Sequence, residues 1–218
     1  MAGLNRDYHT PKVYVTISNG KFVQRVGEGT DGAIERVIEN KKDKTTKRVW
    51  ELIYADIEAY IESVEVDESG NYGDQLKLNM AYMDEKFTLT LPMNGREAKS
   101  FLCVLPNIDI SQMIALKPYN FVDKSTGKSV IGMNTMQGGK TKENKVAPYF
   151  SKETPNGLPQ VPEAVDIDEF KLAMKSQEIF LKKFTKKFAE ENFKSKRVFA
   201  EPAKEETFEN DSDGALPF

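Results

Sequence analysis

Short segments in which apolar and polar residues alternate fill most of residues 13–136, and they constrain the fold more than any other feature. The first two, Val13–Ser18 and Lys21–Val26, are joined by Asn19-Gly20. An Asn-Gly pair tolerates the positive φ angles of a type I′ turn and is the strongest short-range signal for a β-hairpin. Further strands are predicted at Ile34–Ile38, Arg48–Tyr54, Ile57–Asp67, Gln75–Met83, Lys86–Leu91, Met113–Val122 and Lys128–Met136.

Two segments break this β pattern and predict helices. Residues 94–105 suit a short helix, with Asn94 as its N-cap and Pro106 just beyond its end. A long helix is predicted to begin at Asp166, which forms a capping box with Glu169. Its apolar residues recur at helical spacing and give one stripe, formed by Phe170, Met174, Leu181, Phe184 and Phe188.

The order of these elements is several strands, a short helix and a closing hairpin, which is the order of an OB-fold, although other small barrels share it. We therefore predict a mainly β protein of the α+β class, built on an OB-fold-like β-barrel. Residues 1–165 would form the barrel with its N-terminal hairpin, and residues 166–200 a basic amphipathic helix. Residues 201–218 have few apolar side chains and are predicted to form a disordered acidic tail.

Charge is distributed unevenly between the tail and the rest of the chain. The whole chain carries −3, and residues 201–218, with six acids and one lysine, carry −5, so the first 200 residues carry +2. A basic body with an acidic tail fits a protein that binds polyanions better than the total charge suggests.

Enzymatic chemistry finds little support in the composition. The chain has one histidine, His9, and one cysteine, Cys103, whereas a zinc site needs three or four such ligands. We predict no enzyme activity, no metal and no cofactor. Alternating acids on one predicted strand leave open a metal-dependent nuclease, although a solvated strand face is the commoner meaning of such a pattern. These acids are Asp56, Glu58, Glu62 and Asp67.

The segment 117–152 combines cations with flat rings. It contains seven lysines against two acids, and aromatic side chains are interleaved with them. Lysines neutralise phosphates and aromatic rings stack on unpaired bases, so the segment predicts binding of single-stranded nucleic acid. The alternative is a solvated basic hairpin whose aromatics belong to the core. The predicted binding residues here are Lys117, Tyr119, Phe121, Lys128, Lys140, Lys142, Lys145 and Tyr149.

Four residues on earlier strands extend this predicted site. Tyr60 is out of phase with Ile57, Ala59 and Ile61 and should face outward. Lys77 is out of phase with its apolar neighbours in the same way. Arg48 and Trp50 share one strand face, and Trp50 is equally compatible with the core and with a stacking platform.

The acidic tail carries a predicted partner-binding tip. A short apolar segment with a carboxylate beside it can plug into a basic-rimmed pocket on another protein. The residues of this tip are Asp211, Asp213, Leu216, Pro217 and Phe218.

Residues 209–218, Glu-Asn-Asp-Ser-Asp-Gly-Ala-Leu-Pro-Phe, are similar to the acidic C-terminal tip of bacterial single-stranded DNA-binding proteins. Residues 101–109 and 116–121, with Pro148-Tyr149-Phe150 and residues 155–159, resemble phage-encoded members of the same class. The resemblance implies an OB-fold, sequence-independent binding of single-stranded DNA, and recruitment of a polymerase, helicase, primase or recombinase by the tip. The long basic helix and the lack of a Gly/Gln-rich linker depart from the bacterial pattern, so a monomer or homodimer is expected instead of a tetramer.

The alternative function on the same barrel is an RNA-binding or protein-interaction adaptor. With one cysteine, no signal-peptide pattern and no apolar run of about 20 residues, the chain is expected to be cytoplasmic (in the host cytoplasm if phage-encoded) and without membrane partners.

Overall fold

The computed structural model describes residues 13–39, 44–69, 73–162 and 166–193. Within these ranges the protein is mainly β, with a curled nine-stranded sheet and one long helix. The predicted acidic tail and its tip, Asp211 to Phe218, lie outside the described residues. The elements are β1 (Val13–Ser18), β2 (Lys21–Val26), β3 (Ile34–Glu39), β4 (Thr46–Tyr54), β5 (Ile57–Asp67), β6 (Gln75–Tyr82), β7 (Glu85–Pro92), α1 (Arg96–Val104), β8 (Ile114–Val122), β9 (Ser129–Gln137) and α2 (Ile167–Phe193), with short 3₁₀ turns at Leu105–Asn107 and Lys142–Asn144.

The strands form one sheet in the order β3-β4-β2-β1-β7-β6-β5-β8-β9. Neighbours are antiparallel, except that β1 runs parallel to β7. The long strand β5 produces the curl, because residues 57–59 pair with β8 and residues 60–67 pair with β6. Its register shifts between Ile61 and Ser63, and an extra residue of this kind bends a strand.

The β1–β2 turn reaches the far side of the curled sheet. Asn19 and Gly20 have φ angles of 51° and 70°, as the predicted type I′ turn requires. A Cβ atom on Gly20 would lie 2.7 Å from the backbone nitrogen of Asn120 in β8. The turn therefore packs directly on β8, and glycine serves both the backbone angle and the close approach.

The core fills the inside of the curl. Inward residues of β6 and β7, including Leu76, Leu78 and Leu89, are fully buried, and α1 adds Phe101 and Leu102 from one end. Burial of one such side chain contributes about 1.5–3 kcal/mol. The alternation seen in the sequence thus becomes one packed face and one outer face on each central strand.

Helix α2 packs beside β5 through an aromatic cluster around Phe150. The Phe150 ring meets Phe180 and Phe184 edge to face, with centroids 5.5 and 5.1 Å apart. The predicted apolar stripe is therefore packed at Leu181, Phe184 and Phe188, but its first member, Phe170, remains 48% exposed.

Ion pairs fasten the same helix to the segment that follows β5. Lys182 binds Glu68 and Asp74, and Lys186 binds Glu68 with an N···O distance of 2.6 Å. Hydrogen bonds from Lys182 and Lys186 lower the pKa of Glu68 to about 2.

The ends of the helices confirm one predicted cap and correct another. Asp166 Oδ1 accepts hydrogen bonds from the backbone N–H groups of Asp168 and Glu169, at 2.9 and 2.8 Å, so the predicted N-cap of α2 is confirmed. The predicted N-cap Asn94 of α1 is wrong, because Gly95 occupies that position and no side chain caps the helix. No helix in the described part of the chain is both long enough and apolar enough to cross a membrane.

Candidate nucleic-acid interface

The β8–β9 hairpin presents Lys117, Tyr119 and Phe121 on one face. They alternate with Leu116 and Pro118, which are buried, so the pleat of β8 turns them outward. Phe121 is 54% exposed, and its ring centroid lies 5.9 Å from that of Tyr119. Two neighbouring rings next to a lysine form a surface on which unpaired bases can stack.

The position of the Tyr119 ring depends on the glycine opposite it. Tyr119 pairs with Gly132 across the strands. A Cβ atom at Gly132 would collide with the Tyr119 hydroxyl and would lie 2.8 Å from Ser100 Oγ. The missing side chain therefore makes room for the ring to lie across β9, against α1.

Three lysines of the same hairpin have no ion-pair partner among the described residues. Lys117, Lys124 and Lys128 are exposed and form no ion pair with any described residue. The nearby Asp123 carboxylate is used by its own turn, because it accepts hydrogen bonds from the Ser125 hydroxyl and backbone N–H, which lower its pKa. We call Lys117, Tyr119, Phe121, Lys124 and Lys128 the hairpin face.

Lys140, in the segment after β9, is ion-paired, unlike the lysines of the hairpin face. Its ammonium group lies 2.8 Å from Asp56 and 3.1 Å from Glu58, and hydrogen bonds to these carboxylates raise its pKa. The charge of Lys140 is therefore already compensated. The contact also engages two of the four acids considered above for a nuclease site.

Three more predicted site residues lie on this segment. Lys142 and Lys145 are exposed, at the two sides of a short 3₁₀ turn, and make no ion pair within the described ranges. Tyr149 is 38% exposed, and its ring meets Phe150 edge to face at 4.9 Å. Its backbone N–H donates to the Cys103 carbonyl, which ties this segment to α1.

On β5 and β6, Tyr60 faces outward as predicted, with 46% of its surface exposed. Lys77 also lies on the outer face but contacts Asp67, with an N···O distance of 2.5 Å. This hydrogen bond raises the pKa of Lys77 and lowers that of Asp67. Like Lys140, Lys77 is a compensated cation.

A polar ladder crosses the outer face of the central strands. Thr88 Oγ1 donates to Asn79 Oδ1, and Asn79 Nδ2 donates to Ser63 Oγ, both at 2.7 Å. Tyr14 stands next to Thr88 in the register and is 52% exposed. The result is a row of hydrogen-bonding groups that ends in an exposed ring.

Sequence reasoning missed Tyr14 and Lys21 as candidates. The alternation of Val13 and Val15 already turned Tyr14 outward, so the signal for that ring was present. Nothing local indicates that the exposed Lys21, which follows Gly20, is carried to β8 by the curl of the sheet.

The structure does not bring Arg48 and Trp50 to the hairpin face. Both lie on β4, where Arg48 pairs with Glu35 at 3.4 Å and Trp50 is half-buried. Trp50 pairs with Val26, at the end of β2 away from the turn that meets β8. Six residues of strand, about 20 Å, separate these two positions.

Across the described ranges, no group of three or more His, Cys, Asp or Glu side chains is arranged to hold a metal ion. Comparison with protein-family models, with curated proteins and with solved structures finds no match to this chain.

Proposed function

We propose that the protein binds single-stranded DNA without sequence preference and protects it during replication or recombination. The observation that carries this proposal is the hairpin face, where two adjacent rings are bordered by lysines that have no ion-pair partner among the described residues. Stacking accepts any base, and ammonium groups bind phosphates as point charges, so the surface supports binding without reading sequence.

The arrangement of strands supports an OB-fold-like barrel as the framework for this site. Strands β5, β6 and β7, then α1, then β8 and β9, follow the order of a partly open five-stranded Greek-key barrel. In such barrels the face of the second and third strands, with the loops after the first and fourth, binds oligonucleotides. Here those elements correspond to β6–β7, to the loop between β5 and β6, and to residues 123–128, which include Lys124 and Lys128 of the hairpin face.

The second part of the proposal is that the acidic tip recruits a polymerase, helicase, primase or recombinase. It rests on the similarity of residues 209–218 to the bacterial tip. Deletion of residues 216–218 should leave DNA affinity unchanged and abolish retention of the partner in a pull-down. Retention equal to that of the full chain would contradict it.

The proposed function is tested by fluorescence titration of the full chain with a labelled thymine oligonucleotide over a series of salt concentrations. We expect affinity to fall steeply with salt, because lysines that bind phosphates release counterions. Unlabelled duplex should compete weakly. Equal or stronger competition by RNA would favour the RNA-binding alternative, and no binding at low salt would overturn the proposal.

A further inference from the structure

A second surface lies where the first half of α2 passes the β7–α1 turn. A groove of about 260 Å³ opens there, near the lower limit of ligand pockets, which hold about 300–1,000 Å³. Its apolar floor is formed by Met93, Phe170, Met174 and Leu181. This size suits a few side chains of a peptide better than a bulky cofactor.

The floor is not closed by the rest of the described chain. Phe170 is 48% exposed, whereas Leu181, about three helical turns further on, is 2% exposed. Both belong to the same helix face, so the apolar stripe continues past the point where the β-sheet covers it. Large exposed rings at the edge of such a groove are typical of a docking surface.

The rim of the groove is basic. Lys99, Lys171 and Lys175 line it against one acid, Glu178. Lys175 forms no ion pair with a described residue, and Lys171 contacts only the exposed Asp168 of its own helix turn. A ligand with several carboxylates and a few apolar side chains would complement both the rim and the floor.

Residues 201–218 of the same chain have this chemistry. They contain six acids, and their apolar side chains include Phe208, Leu216 and Phe218. Helix α2 ends at Phe193, about 28 Å along the helix axis from Met174. Residues 194–204 can span about 36 Å when extended, so the acids that follow can reach the groove.

We propose that residues 201–218 dock in this groove of their own chain, with apolar side chains on Met93, Phe170 and Met174 and with acids at the lysine rim. This inference goes beyond the proposed function and does not depend on DNA binding. Because the segment is tethered, its local concentration is in the millimolar range, so weak contacts suffice for occupancy.

The test uses the full chain without DNA, with a photoreactive benzoylphenylalanine in place of Met174. After irradiation at low protein concentration, we expect a monomeric product in which residue 174 is joined to a peptide from residues 201–218. The matched control carries the same probe in place of Lys183, an exposed position on α2 outside the groove. The groove position should cross-link roughly tenfold more to this segment, a preference of about 1.4 kcal/mol.

Charge reversal supplies an independent readout. Lys171→Glu with Lys175→Glu should reduce the cross-link, while Lys183→Glu with Lys187→Glu should not. The two pairs are matched, because each joins a lysine paired within the helix, Lys171 or Lys187, to one without an ion pair among the described residues. Equal cross-linking from both probe positions would overturn the proposal. Dimeric products that increase with concentration would also overturn it, and would assign the groove to a second copy.

Discussion

Strands β6 and β8 carry similar sequence patterns but present different surfaces. Each has an outward lysine among alternating apolar residues, Lys77 on β6 and Lys117 on β8. Lys77 contacts Asp67 at 2.5 Å, whereas Lys117 has no ion-pair partner in the described part of the chain. The comparison teaches that a lysine on a strand is available to a phosphate only if the neighbouring strand leaves it unpaired.

The register with the neighbouring strand determines which residue lies opposite each lysine. Lys77 stands opposite Glu65 on β5, two residues from Asp67, so carboxylates flank it. Lys117 stands opposite Asn134, whose amide carries no charge. The same residue type is therefore compensated in one place and free in the other, and we expect this difference to appear in DNA binding.

The largest expected effect comes from the rings of the hairpin face. Stacking contributes about 1–3 kcal/mol per base, so Tyr119→Ala and Phe121→Ala should each weaken binding of a thymine oligonucleotide by roughly fivefold to a hundredfold or more. Fluorescence titration measures the loss. Val122→Ala is the matched control, because Val122 is 63% exposed and adjacent but faces the other way. Unchanged affinity in both ring variants would remove the hairpin face from the site.

Alanine variants of unpaired and paired lysines test whether ion pairing determines which lysines bind DNA. Replacing Lys117 and Lys128 by alanine should reduce the slope of log affinity against log salt by about 1.4, since each phosphate contact on a single strand contributes about 0.7. Replacing Lys77 and Lys140 should change the slope little, because carboxylates already compensate both. Equal changes in the two double variants would show that ion pairing does not decide which lysines bind DNA.

A smaller effect is expected from Gly132→Ala. The new Cβ would collide with the Tyr119 hydroxyl and displace the ring, while the φ angle of Gly132 is not one that disfavours alanine. Affinity should fall roughly twofold to tenfold, within the contribution of one stacked ring. Asn134→Ala, on the same face of β9, controls for a general effect on the strand. A thermal melt of both variants separates ring displacement from loss of stability.

The smallest effect is expected from the ion pairs that Lys182 and Lys186 of α2 form with Glu68. Glu68, with a pKa of about 2 instead of 4.5, should keep its charge in acid, as carboxyl NMR titration can measure. Because the folded pKa is the lower one, the ion pairs with Lys182 and Lys186 stabilise the fold above pH 4.5, and this contribution is lost as the pH falls towards 2. Lys182→Met should move the midpoint of Glu68 upward, and Lys183→Met should leave it unchanged.

Local patterns sufficed for most elements of the fold. The predicted bounds of β1, β2 and β5 agree with the structure, since alternation and the Asn-Gly turn are readable from neighbouring residues. Asp166 was also identifiable as a cap, because its hydrogen bonds reach only two and three residues ahead. Asn94 was misassigned, because either Asn94 or Gly95 could precede α1 and the pattern does not distinguish them.

The candidate site was less accessible to sequence reasoning. The outward direction of Tyr60 followed from strand phase. Strand phase could not predict that Lys140 pairs with Asp56, 84 positions away, or that Trp50 lies apart from β8. Both depend on how distant strands meet.

The sequence by itself determined which residues of a strand share a face, because a strand turns successive side chains to opposite sides whatever lies beside it. Only the tertiary structure decided which cations remain free and which rings stand together. Those properties depend on the register between strands and on the curl at β5 that brings the β1–β2 turn to β8. Electrostatic compensation acts over a few ångströms in space, and only the folded chain brings residues so distant in sequence that close together.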